Sequence, residues 1–177
     1  MALHEIQCDC IIKAKAVNAD VATGVQVNAV AESASILALT NGTTVNTASH
    51  CIKSKSQAIS SGNTLDVDMV TLANLGSGDG FDIVFTNPSD LAEVVAIQIT
   101  NESTSVGNLE LGAAAANPWL AFLKDASDKL VLKPNTTFQI QCPNDPAFAL
   151  TGGSKVLRYT AAGGNITATT TIIARNA

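Results

Sequence analysis

Apolar and polar residues alternate with a period of two over much of this chain, the pattern of a strand with one buried face. Pairs such as Asn41-Gly42, Asn87-Pro88 and Gly163-Gly164 separate the alternating segments and are typical of turns. The predicted strands are short and evenly spaced: 4–15, 35–40, 52–59, 64–72, 81–86, 94–102, 108–112, 129–133, 137–142, 155–160 and 165–175. They predict an all-β fold, an antiparallel β-sandwich or jelly roll.

Two stretches do not alternate clearly. Residues 16–34 are rich in alanine and valine, although a solvated tail is expected to be more polar. We therefore divide the chain into an N-terminal arm or strand in intersubunit contacts, 1–34, and a β-sandwich domain, 35–177. The four alanines at 113–116 favour a helix, which Asn117-Pro118 limits to one turn at most.

Candidate interface residues are the valines of the arm and the single tryptophan. They are Val17, Val21, Val25, Val27, Val30 and Trp119. Apolar residues without a clear place in their own sandwich are expected to bury against a neighbouring subunit.

The composition agrees with the strand prediction. Apolar residues make up 46 % of the chain and charged residues 14 %, and the few aromatic residues leave a core of mostly Val, Ile, Leu and Ala. Thr, Val and Ile suit a pleated sheet, and Asn and Gly suit turns. A helical bundle would need Leu, Glu and Lys at long periodic spacing.

The charge distribution argues against nucleic acid as a partner. The net charge is −5 and the ten basic residues are scattered, whereas a duplex-binding protein concentrates Lys and Arg to neutralise phosphates. No apolar segment reaches the roughly 18–20 residues of a membrane span. The N-terminus has His4, Glu5 and Asp9 where a signal peptide has a basic head and an apolar core. We expect a soluble protein made in a cytoplasm, with no membrane partner.

The chain has four cysteines: Cys8, Cys10, Cys51 and Cys142. No CxxC spacing appears, so the usual zinc signature is missing. On a strand, Cys8 and Cys10 share one face with Ile6 and Ile12, and a buried free cysteine behaves as a small hydrophobe. A metal or disulfide role is the alternative. We predict no cofactor and no metal site.

Residues 63–87 place Asp66 and Asp68 ahead of a glycine-rich stretch. No helix is predicted to follow and aim its N-terminus at a phosphate, and the Lys-Ser/Thr of a P-loop is missing. The spacing is not that of an EF-hand loop. We interpret the stretch as a β-hairpin whose aspartates line the solvated strand face, with a weak cation site as the alternative.

No catalytic constellation is visible in the sequence. Only His4 and His50 could act as imidazole bases, and a Cys–His dyad needs spatial rather than sequence adjacency. A glycosidase pair needs two carboxylates around the sugar, and Trp119 near Asp125 and Asp128 is the only aromatic placed for such a role. Trp119 fits a core or interface anchor better. We predict a protein that is not an enzyme.

A series of blocks resembles a family of virion proteins on the heads of tailed phages. The blocks are "ALTNGTTVNTASHCIKSKSQAIS" (38–60), "TLDVDMVTL" (64–72), "VVAIQITNES" (94–103), "LELGAAAANPWLAFL" (109–123), "LVLKPNTTFQIQCP" (130–143) and "LRYTAAGGNITATTTIIAR" (157–175). None is a catalytic signature, and their order carries the resemblance. Asn135 stands where the family has glycine, and the first 34 residues lie outside the similarity.

The resemblance implies a β-sandwich of the decoration, cement or head-fibre type. We therefore expect a non-enzymatic capsid protein, located in the virion, that bridges and stabilises capsid subunits. Its expected partners are the major capsid protein or another virion protein and further copies of itself, as a homotrimer. The alternative is a receptor- or carbohydrate-binding module of a tail or fibre, with Trp119, Phe122 and Tyr159 as its aromatic platform.

Overall fold

A computed structural model describes residues 6–20, 25–41, 43–45, 47–48, 50–54, 56–71, 81–83 and 91–176. The described residues form strands and turns without a helix, which confirms the all-β prediction. The strands are β1 Ile6–Asp20, β2 Val25–Asn41, β3 Thr47–Ala48, β4 His50–Ser54, β5 Gln57–Ile59, β6 Thr64–Asp68, β7 Phe81–Ile83, β8 Glu93–Asn101, β9 Asn108–Ala113, β10 Lys129–Leu132, β11 Thr136–Gln141, β12 Phe148–Ala149, β13 Val156–Ala162 and β14 Ile166–Arg175.

Two antiparallel sheets pack against each other as a β-sandwich. The larger, seven-stranded sheet has the order β11-β8-β14-β4-β7, with β12 pairing beside β8 and β5 beside β14. The smaller, four-stranded sheet has the order β10-β9-β13-β6. A third sheet joins β1, β2 and β3.

The core lies between the two large sheets. In β14, Ile166, Ala168, Thr170 and Ile172 are buried while the threonines between them are half-buried, so the strand turns one face inward. The facing strands of the smaller sheet contribute Leu109, Leu111, Leu157 and Tyr159, all fully buried. Aliphatic side chains dominate this core, as the composition predicts.

A register shift between Ile173 and Ala174 interrupts the ladder of β14 with β8. Beyond it, Ala174 lies opposite Val94 and Arg175 opposite Glu93, so that no residue of β14 lies directly opposite Val95. A bulge changes which face a strand presents to the core. The extra residue, Val95, lies on β8, so the shift accounts for the run of four consecutive buried residues from Val94 to Ile97 in that strand.

Several predicted elements need correction. The single predicted strand 52–59 is two strands, β4 and β5, which both pair with β14. No helical turn forms at 113–116, because Ala113 ends β9 and the backbone then bends to Asn117, whose φ is 48°.

The predicted hairpin within 63–87 is wrong. β6 pairs with β13 in the smaller sheet, whereas β7 pairs with β4 in the larger one. The two strands therefore belong to different sheets. Gly76, Gly78 and Gly80 lie outside the described residues.

The segment assigned to an N-terminal arm is part of a long antiparallel hairpin. β1 and β2 pair from Ile6 opposite Leu39 to Asp20 opposite Val25. β2 continues past residue 34, the predicted boundary, to Asn41, and its last two residues pair in parallel with β3. Among the arm valines, Val21 lies outside the described residues.

Candidate functional site

Among the residues that the structure describes, three networks of polar side chains join separate strands and loops of the sandwich. The largest, the Arg175 cluster, consists of Arg175, Glu93, Asp145 and the carbonyl oxygens of Thr44 and Asn144. The Arg175 side chain is fully buried, although a buried guanidinium is costly unless its donors are paired.

The Arg175 cluster forms where four parts of the chain meet. Nε and Nη2 of Arg175 contact Oε2 of Glu93 at 2.7 and 2.6 Å, across the β14–β8 ladder. Nη1 donates to the carbonyl of Thr44, ahead of β3, and Nη2 donates to the carbonyl of Asn144, in the β11–β12 connection. Nη2 also lies 3.9 Å from Oδ1 of Asp145. One guanidinium thus connects the end of β14 to three other segments of the chain.

Glu93 also binds the connection between β11 and β12. Its Oε2 accepts a hydrogen bond from the amide of Ala147 at 3.0 Å. The Glu93 carboxylate is therefore shared between Arg175 and the backbone, an arrangement that fixes the position of both side chains.

A second network centres on Glu102, at the end of β8. Its Oε1 accepts hydrogen bonds from Ser56 Oγ at 2.6 Å and from Thr169 Oγ1. These two bonds lower the pKa of Glu102, against a smaller opposing effect of burial. Nearby, Ser105 Oγ accepts from the amide of Thr167 at 2.7 Å and donates to its carbonyl at 3.2 Å, so the loop after β8 is fixed to β14.

The third network contains the two aspartates singled out in the sequence. Asp66 accepts a bidentate pair of hydrogen bonds from Arg158 on β13, at 2.6 and 2.7 Å. Asp68 pairs with Lys155 at 2.9 Å and accepts from the amides of Val70 and Thr71. Burial alone would raise the pKa of Asp68, but the bonds from Lys155 and the two amides lower it on balance. Both aspartates are thus engaged within the small sheet rather than merely solvated.

Trp119 lies in the core of its own chain, with 1 % of its surface exposed. Its Nε1 donates to the carbonyl of Ala149 at 3.3 Å, and its ring meets Phe122 and Phe148 edge-on at 5.8 and 6.4 Å between centroids. Phe122 in turn packs at 4.9 Å on Phe138. The indole is therefore a core anchor, and in this conformation it is not accessible to a second subunit.

Tyr159 is also fully buried, and its hydroxyl lies 2.8 Å from Thr170 Oγ1. Burial raises its pKa despite that hydrogen bond. The surface platform of Trp119, Phe122 and Tyr159 that the carbohydrate-binding alternative needs is not formed, because two of its three members are inside the protein.

The remaining candidate residues do not converge. His50, whose side chain is 7 % exposed, lies opposite Ala174 in the β4–β14 ladder, and burial lowers its pKa. Cys142 is a half-buried free thiol after β11. Among the residues whose side chains are described, no three metal-ligating groups come together. Cys8 and Cys10 fall on the same face of the β1–β2 ladder, as predicted. His4 lies outside the described residues.

The valines proposed for the interface divide between the two faces of the hairpin. Residues directly opposite in an antiparallel ladder share a face. Val17 opposite Asn28 and Val30 opposite Lys15 fall on one face, and Val25 and Val27 fall on the other. The hairpin register thus separates residues that the sequence alone grouped together.

Comparisons with known proteins do not assign this chain to a family. No protein-family model matches it, and neither a curated protein nor a solved structure shows significant similarity. In the part of the chain that the structure describes, no helix is long and apolar enough to cross a membrane.

Sequence reasoning missed the Arg175 cluster. The available signal was a single arginine directly after the apolar run Ile172-Ile173-Ala174. A long charged side chain that continues a buried strand needs a buried partner. The pattern could not identify Glu93 as that partner, because the pairing of β14 with β8 and its register shift are tertiary features.

Proposed function

We propose that this protein is a non-enzymatic structural protein of a phage virion, a capsid decoration or cement protein made in the host cytoplasm. Each oligomer would bridge neighbouring capsid subunits and add buried interface that resists the pressure of the packaged DNA. The major capsid protein, or another virion protein, is the proposed partner.

The observation that carries this proposal is how the sandwich uses its polar side chains. The Arg175 cluster and the Glu102 network fix loops and strand ends, and Asp66 and Asp68 join β6 to β13. Such bonds make a rigid scaffold, which suits a protein that must keep its shape outside a cell while bound to a repeating lattice. The order of sequence blocks that resembles tailed-phage head proteins supports the same function.

The carbohydrate-binding alternative was based on an aromatic platform that the structure does not form. A sugar-binding surface stacks the ligand on an accessible ring, and Trp119 and Tyr159 are 1 % and 0 % exposed. We therefore propose only the virion role.

Quantitative mass spectrometry of purified virions tests the proposal. A decoration protein occupies many equivalent lattice positions, so we expect on the order of hundreds of copies per particle. The major capsid protein and the portal protein of the same particles serve as high-copy and low-copy standards. One or two copies of this chain, or none, would refute a decoration role.

Particles assembled without the protein give a second measurement. Without the added interface, virions are expected to release their DNA at a lower temperature than complete particles. Adding the purified protein back should restore the release temperature. Equal release temperatures with and without the protein would contradict the cement mechanism.

A further inference from the structure

The β1–β2 hairpin separates its residues into two chemically different faces. The first face, which we call the apolar hairpin face, holds the even-numbered residues of β1 from Ile6 to Asp20 and the odd-numbered residues of β2 from Val25 to Leu39. Twelve of these sixteen residues are apolar; the exceptions are Ser33, Ser35, Asn18 and Asp20, the last two at one end of the face. The opposite face receives Asp9, Lys13, Lys15 and Glu32, with Lys13 directly opposite Glu32.

The apolar face of such a hairpin is expected to pack against another protein surface. The fifteen paired positions of β1 and β2 correspond to a ribbon about 50 Å long at roughly 3.4 Å per residue. A two-stranded ribbon is at best marginally stable in water, and an apolar face must pack against another layer. Within the described residues, the third strand of this sheet is β3, which pairs only with Thr40 and Asn41 at one end of β2.

We propose that the apolar hairpin face packs against the same face of other copies of this chain. Sheets pack face to face when their twists match, and identical hairpins have the same twist and length. The charge pattern agrees, because four of the five charged residues of β1 and β2 fall on the opposite face. The fifth, Asp20, lies opposite Val25 at the outermost position of the apolar hairpin face.

The size of the face also fits self-association. A ribbon of two strands, about 50 Å by 10 Å, presents about 500 Å² on each face. Two such faces together bury about 1,000 Å², which is the lower limit for a specific protein–protein interface.

Adjacent isoleucines of β1 provide a matched test. Ile12 belongs to the apolar hairpin face and lies opposite Ser33. Ile11 belongs to the opposite face, which carries Lys13 and Glu32, and lies opposite Ala34. In the full-length protein, Ile12→Lys is expected to weaken self-association by about tenfold or more, measured by sedimentation equilibrium, because an ammonium group would enter an apolar interface. Ile11→Lys should leave the association constant close to that of the wild type.

A monomeric wild type, or equal effects of the two substitutions, would overturn the proposal. Leu37→Lys and Ile36→Lys form a second matched pair on β2, since Leu37 lies opposite Cys8 and Ile36 opposite Asp9. Circular dichroism of each variant shows whether the sandwich is retained.

The native cysteines give a readout that requires no substitution. Self-association through the apolar hairpin face should slow the alkylation of Cys8 and Cys10 as protein concentration rises, whereas Cys142 should react at a constant rate. Alkylation of Cys8 and Cys10 that does not depend on concentration would contradict the proposal. Both measurements use purified protein without virions, so their outcome is independent of the test of the virion role.

Discussion

Arg175 joins the end of β14 to three other segments of the chain, and replacing it tests how much these contacts stabilise the fold. In Arg175→Met, the mostly buried Glu93 side chain would lose its guanidinium partner, and the carbonyls of Thr44 and Asn144 would lose the hydrogen bonds from Arg175. Breaking a buried pair by removing one partner costs about 3–5 kcal/mol. We expect a loss of that size in the free energy of unfolding, measured by urea denaturation.

Lys129→Met is the control for this prediction. Lys129 also pairs with a carboxylate, Glu110 at 2.7 Å, but its side chain is 56 % exposed. Exposed ion pairs contribute about 0–1 kcal/mol, so this variant should lie close to the wild type. Similar losses of unfolding free energy in both variants would show that the stabilisation by the Arg175 cluster does not depend on its burial.

Three titratable groups are expected to make the protein less stable in acid. Burial keeps the folded-state pKa of His50 below its ordinary value of 6.5. The unfolded chain therefore binds a proton that the folded chain excludes, and stability falls as the pH drops below 6.5. Asp68 and Glu102 have pKa values below their ordinary values of 3.8 and 4.5. Their contribution is complete above those values and is lost as the pH falls through the lower folded-state pKa values.

Urea unfolding at a series of pH values from about 7 to about 3 measures this dependence. His50→Gln should flatten the upper part of the curve and Glu102→Gln the lower part. A free energy of unfolding that stays constant or rises on acidification would contradict the assignment.

At the scale of elements, the loop after β8 depends on a close approach between two glycines. A Cβ on Gly107 would lie 2.3 Å from the carbonyl oxygen of Gly164, and the Gly107 amide donates to Asn165 at 3.0 Å. Gly107→Ala would therefore force two backbone segments apart. We expect a loss of about 2 kcal/mol or more in the free energy of unfolding.

Gly153→Ala is the matched control for Gly107→Ala. A Cβ on Gly153 would meet no atom within 4 Å, so the change in stability should stay within about 0.5 kcal/mol. Thermal melting of the two variants side by side makes the comparison. A tolerated alanine at 107 would mean that the loop can move away from Gly164 without cost.

The sequence predicts a strand well where one of its faces is more exposed to solvent and the other is buried. β13 and β14 alternate, and both were predicted within a few residues of their bounds. Alternation defines the two faces of a strand but not its neighbour, which is why β6 and β7 were wrongly joined in one hairpin. β3 and β12 have two residues each and carry no periodic signal.

The partners within the polar networks also cannot be predicted from the sequence. Arg158 and Asp66 are 92 positions apart in the chain and Arg175 and Glu93 are 82 apart. Spacing along the chain cannot reveal such pairs. The aromatic character of Trp119 predicted a core or interface anchor, and its burial in its own chain decides for the core.

At the scale of the whole molecule, we predict a homotrimer. Capsid lattices offer local three-fold axes, an argument that rests on the resemblance to phage head proteins. Around a three-fold axis, the three copies can turn their apolar hairpin faces toward the axis, so that each face contacts the same face of both neighbours. Light scattering of the purified protein should give about three times the chain mass of 18.2 kDa.

Removing the hairpin tests whether it joins the copies of the trimer. Since β2 ends at Asn41, a deletion of residues 1–41 removes the hairpin completely, whereas a cut at residue 34 would leave part of β2 without its partner β1. The core cluster of the sandwich is formed by residues from Ile59 to Ala174, so the shortened chain keeps these residues and is expected to be a monomer of sandwich fold. If it forms the same trimer as the full chain, the contacts lie on the sandwich itself and the hairpin has another partner.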